Sequence, residues 1–270
     1  RIVTISGRRV EYLEHGDEQG VPVLVMHGVI SGIILPQTFI ADLASRGMRI
    51  VIPLRPGFGV SDRLHPGFTP HDVALHLAAF AENAGIGRFA MLTSGSGCFS
   101  AFALQQEHPE RIIAHVATAT YLPADRHRLN GTMAPWVRGF ISSVGRYPQV
   151  ARFLITGGYR YLLSQGPAAF IEMLFRRAPT DRDLAQDPEL LAALAVGLPI
   201  ALAQGIDAFI SEMSLVATEW NWMRRPITQP VTFIHGAQDS IFPTAMVREF
   251  VAGSPGHRLF ELPEAGQLLF

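Results

Sequence analysis

Phe89-Ala90-Met91-Leu92-Thr93-Ser94-Gly95-Ser96-Gly97-Cys98 passes from an apolar run into a cluster of small residues, and a helical pattern follows as far as His108-Pro109. Phe89 to Leu92 is apolar on both faces, as a strand needs to be when helices cover both sides of a parallel sheet. Working outward, Val21 to Met26, Met48 to Pro53, Ile112 to Thr120 and Val231 to His235 have the same character. Thr69-Pro70-His71-Asp72 supplies a cap, a proline at the first helical position and an acid at the third, which predicts a helix from there to about Asn83. Ile2 to Ile5 and Arg9 to His15, joined by Ser6-Gly7-Arg8, predict a hairpin. Strands alternating with helices give the α/β class. Pro123 to Pro226 breaks that rhythm with helical patterns, scattered aromatics and few strand-like runs. The expected organisation is a core of residues 1–122 and 227–270 carrying a helical cap, or lid, at 123–226.

A chain of 270 residues, 48% hydrophobic, suffices for one large domain with such an insertion. Its formal net charge of −1 provides no field to gather nucleic acid or an anionic membrane. All 22 basic residues are arginine, which reads as coding bias. The single cysteine, Cys98, rules out an internal disulfide framework and suits a reducing, cytoplasmic setting. Leu190 to Ile206 is the most apolar stretch, but Gly197 and Pro199 break it and Gln204 interrupts it, so a buried helix or a homodimer contact is expected there rather than a membrane span. His71 and His76 lie five apart, off one face, so no metal is expected, and no cofactor either. The chain starts at Arg1 rather than Met, which suggests part of a longer polypeptide.

Three segments are similar, in order, to motifs of the α/β-hydrolase superfamily: Val23-Leu24-Val25-Met26-His27-Gly28, Arg55-Pro56-Gly57-Phe58-Gly59-Val60-Ser61-Asp62 and Ile234-His235-Gly236-Ala237-Gln238-Asp239. The resemblance implies an α/β-hydrolase fold, with a mostly parallel sheet of about eight strands and an inserted helical lid. It places half of an oxyanion hole at the backbone N–H of Val29, just past Gly28, and the catalytic acid at Asp239. The family's nucleophile sits in Gly-x-Ser-x-Gly between a strand and a helix. With Ser96 as nucleophile, Ser94 and Cys98 take the small flanking positions; with Ser94, they fall to Leu92 and Ser96. Only Gly95 puts Thr93 and Gly97 there, so the nucleophile position reads as glycine. The family's histidine, expected after a short C-terminal strand, aligns with Gln267 in Glu264-Ala265-Gly266-Gln267.

Glycine has no nucleophile and an amide does not titrate, and losing such groups lowers turnover about a millionfold. The first expectation is therefore a non-catalytic, sensor-like domain that binds a small apolar or aromatic molecule bearing a carbonyl, with no nucleic-acid contact of its own. Gly28, Val29, Ser94, Gly95, Ser96, Gln267, Trp136 and Trp220 are its expected ligand-binding residues. Hydrolase-like domains attached to some bacterial transcriptional regulators resemble such a unit. The alternative is a serine hydrolase or esterase acting on a small apolar ester, its triad rearranged onto Ser94 or Ser96 or deliberately inactivated. That reading requires a histidine beside one of those hydroxyls.

Overall fold

The computed structural model describes residues 1–29, 32–65, 67–122, 135–176, 178–217, 227–254 and 256–269. Eight strands form one sheet in the order β1-β2-β4-β3-β5-β6-β7-β8. They are β1 (Ile2–Ile5), β2 (Arg8–Gly16), β3 (Val21–Met26), β4 (Met48–Pro53), β5 (Phe89–Ser94), β6 (Ile112–Thr118), β7 (Thr232–Gly236) and β8 (Arg258–Leu262). β1, β2 and β4 pair antiparallel, and every pairing from β4 through β8 is parallel. The expected α/β-hydrolase fold and its eight-stranded sheet are what the chain forms.

The central strands are apolar on both sides because both sides are covered. From β3, Leu24 and Met26 enter the layer beneath α2 (Pro70–Asn83) and α3 (Gly97–Glu107), with Val73, Leu77, Phe80 and Leu104. Val23 and Val25 face the opposite layer with Ile50, Ile52 and Ile40, the last from α1 (Gln37–Ser45). The helix predicted from Pro70 forms as read, its Thr69 cap accepting from Asp72 N–H while the Asp72 carboxylate accepts from Thr69 N–H.

Between β6 and β7 the described residues form helices: α4 (Pro135–Arg146), α5 (Pro148–Gln165), α6 (Pro167–Leu174), α7 (Pro179–Asp183), α8 (Pro188–Ala201) and α9 (Asp207–Ala217). Five of the six start on proline, whose fixed φ suits a first turn that has no N–H partner to lose. α8 runs through Gly197 and Pro199 rather than breaking there; Pro199 lies in the last turn, where the missing amide removes a single bond. α10 (Thr244–Ala252) follows β7. Among the described residues no single helix is long and apolar enough to cross a membrane.

In this strand order β3 lies between β4 and β5, so the chain departs to opposite sides from two adjacent strand ends. A crevice at the carboxyl ends of β3 and β5 follows, the usual ligand position in an open α/β sheet.

Candidate functional site

β5 ends in a sharp turn. Gly95 has φ +53°, a left-handed conformation that costs an L side chain roughly 1–2 kcal/mol. A Cβ there would nonetheless lie at an ordinary 3.5 Å from Tyr121 Cε1. Gly97 is glycine for another reason: its Cβ would run into the Met26 carbonyl where α3 crosses the end of β3. Conformation thus puts the apex at Gly95 and close approach explains Gly97.

Above this turn lies a cavity of about 80 Å³. Gly28, Val29, Ser94, Gly95, Tyr121 and Gln267 line its floor, and Val137, Ile141, Phe209 and Met213 of the inserted helices line its walls with Phe242 and Leu268. Six of the expected ligand-binding residues were Gly28, Val29, Ser94, Gly95, Ser96 and Gln267; all but Ser96 line the cavity. The Ser96 side chain turns away and donates to Glu212 Oε2 at 2.5 Å. Trp220 and the Trp136 side chain lie outside the described residues.

Tyr121 links Gly95 to Gln267. Its N–H donates to Gly95 O (3.3 Å), its ring covers Gly95 and stacks on Phe242 at 4.0 Å, and its Oη accepts from Gln267 Nε2 (2.8 Å). Burial, reinforced by the nearby Asp239 charge, pushes the phenol pKa up, so it stays protonated at neutral pH. Gln267 is held in turn by Asp181 of α7, whose carboxylate accepts from the N–H groups of Gln267 (3.0 Å) and Leu268 (2.8 Å). Desolvation raises the Asp181 pKa, and these backbone donors offset part of the rise.

Asp239 Oδ1 accepts from Ile241 N–H and Phe242 N–H, both at 2.8 Å, a local turn. Asp239 Oδ2 is 3.2 Å from His235 Nε2, but that nitrogen is closer to the Phe242 carbonyl oxygen, at 2.7 Å. We therefore assign its proton to Phe242, which leaves Oδ2 buried without a hydrogen-bond partner among the described residues; Gln267 Oε1 is in the same position. His27 likewise secures its own turn. Nε2 accepts from Arg55 N–H, so Nδ1 carries the proton and donates to Gly28 O at 2.7 Å. Burial holds the His27 pKa well below the usual histidine range, with Arg55 adding to the effect. Neither histidine lines the cavity.

Beside the turn is a buried ion pair, Arg55 Nη1 to Glu212 Oε1 of α9 at 2.7 Å. Arg55 also donates to the carbonyls of His27 (2.6 Å) and Gly28 (3.2 Å). Desolvation pushes both partners toward neutrality, raising Glu212 and lowering Arg55, and their mutual attraction opposes it. Among the described residues, no histidine hydrogen-bonds Ser94 or Ser96, contrary to what the rearranged triad requires. Sequence reasoning missed Tyr121, Asp181, Arg55 and Glu212, which meet only through the fold. Glu212 left one trace, an acid inside the apolar run Phe209 to Val216.

A profile of the α/β hydrolase fold matches residues 21–270. A haloalkane dehalogenase of Psychrobacter cryohalolentis is 28% identical over 133 residues, covering 48% of this chain and 44% of that protein. One from Mycolicibacterium paratuberculosis is 24% identical over 131 residues, 47% and 43% of the two chains. The matches thus span less than half the length of these curated relatives. Among solved structures, epoxide hydrolase VrEH1 of Vigna radiata superposes with TM-score 0.72 at 17% identity, covering 99% of this chain and 91% of that one. An esterase of Thermogutta terrifontis gives 0.60 at 20% identity, covering 99% and 91%. At these identities the superpositions speak for the fold alone.

Proposed function

The chain belongs to the α/β-hydrolase family, and on that premise we propose that it binds a small, mostly apolar molecule in the cavity above Gly95 without forming a covalent intermediate on a triad. One observation carries this reading: a mostly apolar cavity sits at the strand ends, and Gly95, Tyr121 and Gln267 form its floor. A serine triad needs a histidine base within hydrogen-bond reach of its nucleophile, which neither serine has among the described residues; Ser96 donates to the Glu212 carboxylate, but it does not line the cavity. A unit that holds its ligand unchanged suits a sensor, the role suggested by the resemblance to regulator-attached domains.

The named relatives favour a second reading, hydrolysis of a small apolar substrate, since they are a dehalogenase, an epoxide hydrolase and an esterase. Ser94 is the hydroxyl this reading would use, because it lines the cavity. Fluorophosphonate labelling and p-nitrophenyl acetate turnover separate the two. Binding without chemistry predicts no labelled serine and turnover at the buffer rate. Labelling at Ser94 with turnover, both lost in Ser94→Ala, would establish the hydrolase instead.

A further inference from the structure

The polar end of the cavity is formed by Gln267 and Tyr121. Gln267 Nε2 is engaged by Tyr121 Oη, which turns Oε1 of the same amide toward nothing that can donate to it. No arginine or histidine side chain lines the cavity among the described residues, and the buried cation beside the turn, Arg55, is held by Glu212 and three backbone carbonyls. A buried acceptor left without a donor carries its full desolvation penalty, so an occupant that donates removes a cost the empty site bears. An occupant that only accepts leaves that cost in place, and an anion adds repulsion from Asp239.

We infer that the occupant is a small alcohol, with its hydroxyl hydrogen on Gln267 Oε1 and its oxygen accepting from Tyr121 Oη–H. The inference rests on the binding reading above and narrows its ligand class away from the carbonyl or carboxylate that the oxyanion-type turn suggests. Tyr121 is free for this role: its oxygen accepts from Gln267 Nε2, which leaves its own proton to give. Size bounds the body: a cavity of about 80 Å³ is roughly half the one that holds benzene in an engineered protein core, so the alcohol's body is no larger than a benzene-sized ring.

Cyclopentanol, cyclopentanone and cyclopentane share one ring and differ only at the polar group, so calorimetric titration of the purified chain with each tests the inference. Cyclopentanol should bind at least about tenfold tighter than either of the others, the usual scale of one satisfied buried polar group. Gln267→Leu should remove most of the alcohol preference while leaving cyclopentane unchanged. Tyr121→Phe keeps the ring stack and should shrink the alcohol preference, which covers the case of a poorly folded Gln267 variant. Equal affinity for all three, or cyclopentanone the tightest, overturns the alcohol and leaves the binding reading intact. No binding by any of them overturns both.

Discussion

Gly95 and Gly97 stand two residues apart and are glycine for different reasons, and the difference is measurable. Gly95 has room for a methyl group but a left-handed backbone, whereas Gly97 has no room, since its Cβ would enter the Met26 carbonyl. Gly95→Ala should therefore cost about 1–2 kcal/mol and lower Tm by a few degrees without altering the fold. Gly97→Ala should cost several times more, because β3 and α3 would have to separate, or it should fail to yield soluble protein. Thermal unfolding of the two variants side by side checks this. Similar small losses would mean that α3 does not press on β3 as described.

Among the elements, what was legible in the sequence was whatever depends on near neighbours. The buried strands showed as apolar runs because both their faces are covered, and the capped start of α2 showed because its cap lies three residues from its partner. Strand ends were less legible, since partners decide them: β5 continues to Ser94 because Ser94 pairs with Thr118, and β6 stops there because Ala119 turns to φ +43°. Gly95 and Gln267 were legible through their flanking motifs, while Tyr121 and the Arg55–Glu212 pair were not, since nothing local links their positions. That pair joins α9 to the loop after β4 at a buried location where losing one charge strands the other. Glu212→Leu should cost about 3–5 kcal/mol by leaving Arg55 buried without its counter-ion. The double variant Arg55→Met with Glu212→Leu should recover part of this, though not all, because the His27 and Gly28 carbonyls would then lose their donor. Urea unfolding of the single and double variants reads the difference. A double variant no more stable than Glu212→Leu would mean that the Arg55 charge is not what the single variant exposes.

Across the whole molecule, the inserted helices do not rest on the sheet as a separate lobe. One apolar cluster takes Val137, Ile141 and Val144 from α4, Ile210, Met213 and Val216 from α9, Phe99 and Phe102 from α3, Phe233 from β7 and Met246 from α10. A second cluster, around Phe170, Phe175 and Leu194, belongs to α6 and α8 with the loop after α6, yet it reaches the C-terminal segment through Leu268, and Asp181 holds the same segment by two hydrogen bonds. Removing the insertion would expose the first cluster and unfasten the second, so the free energies of the two parts are coupled. The chain should therefore unfold in one cooperative transition. Its tryptophans make the test direct, since Trp136, Trp220 and Trp222 all fall between β6 and β7 in sequence. Tryptophan fluorescence reports on that region and far-UV circular dichroism on all helices and strands, so the two urea curves should coincide in midpoint and slope. A fluorescence transition at clearly lower urea would show the inserted helices melting first, and the cavity would then be closed by a part of the molecule that opens on its own.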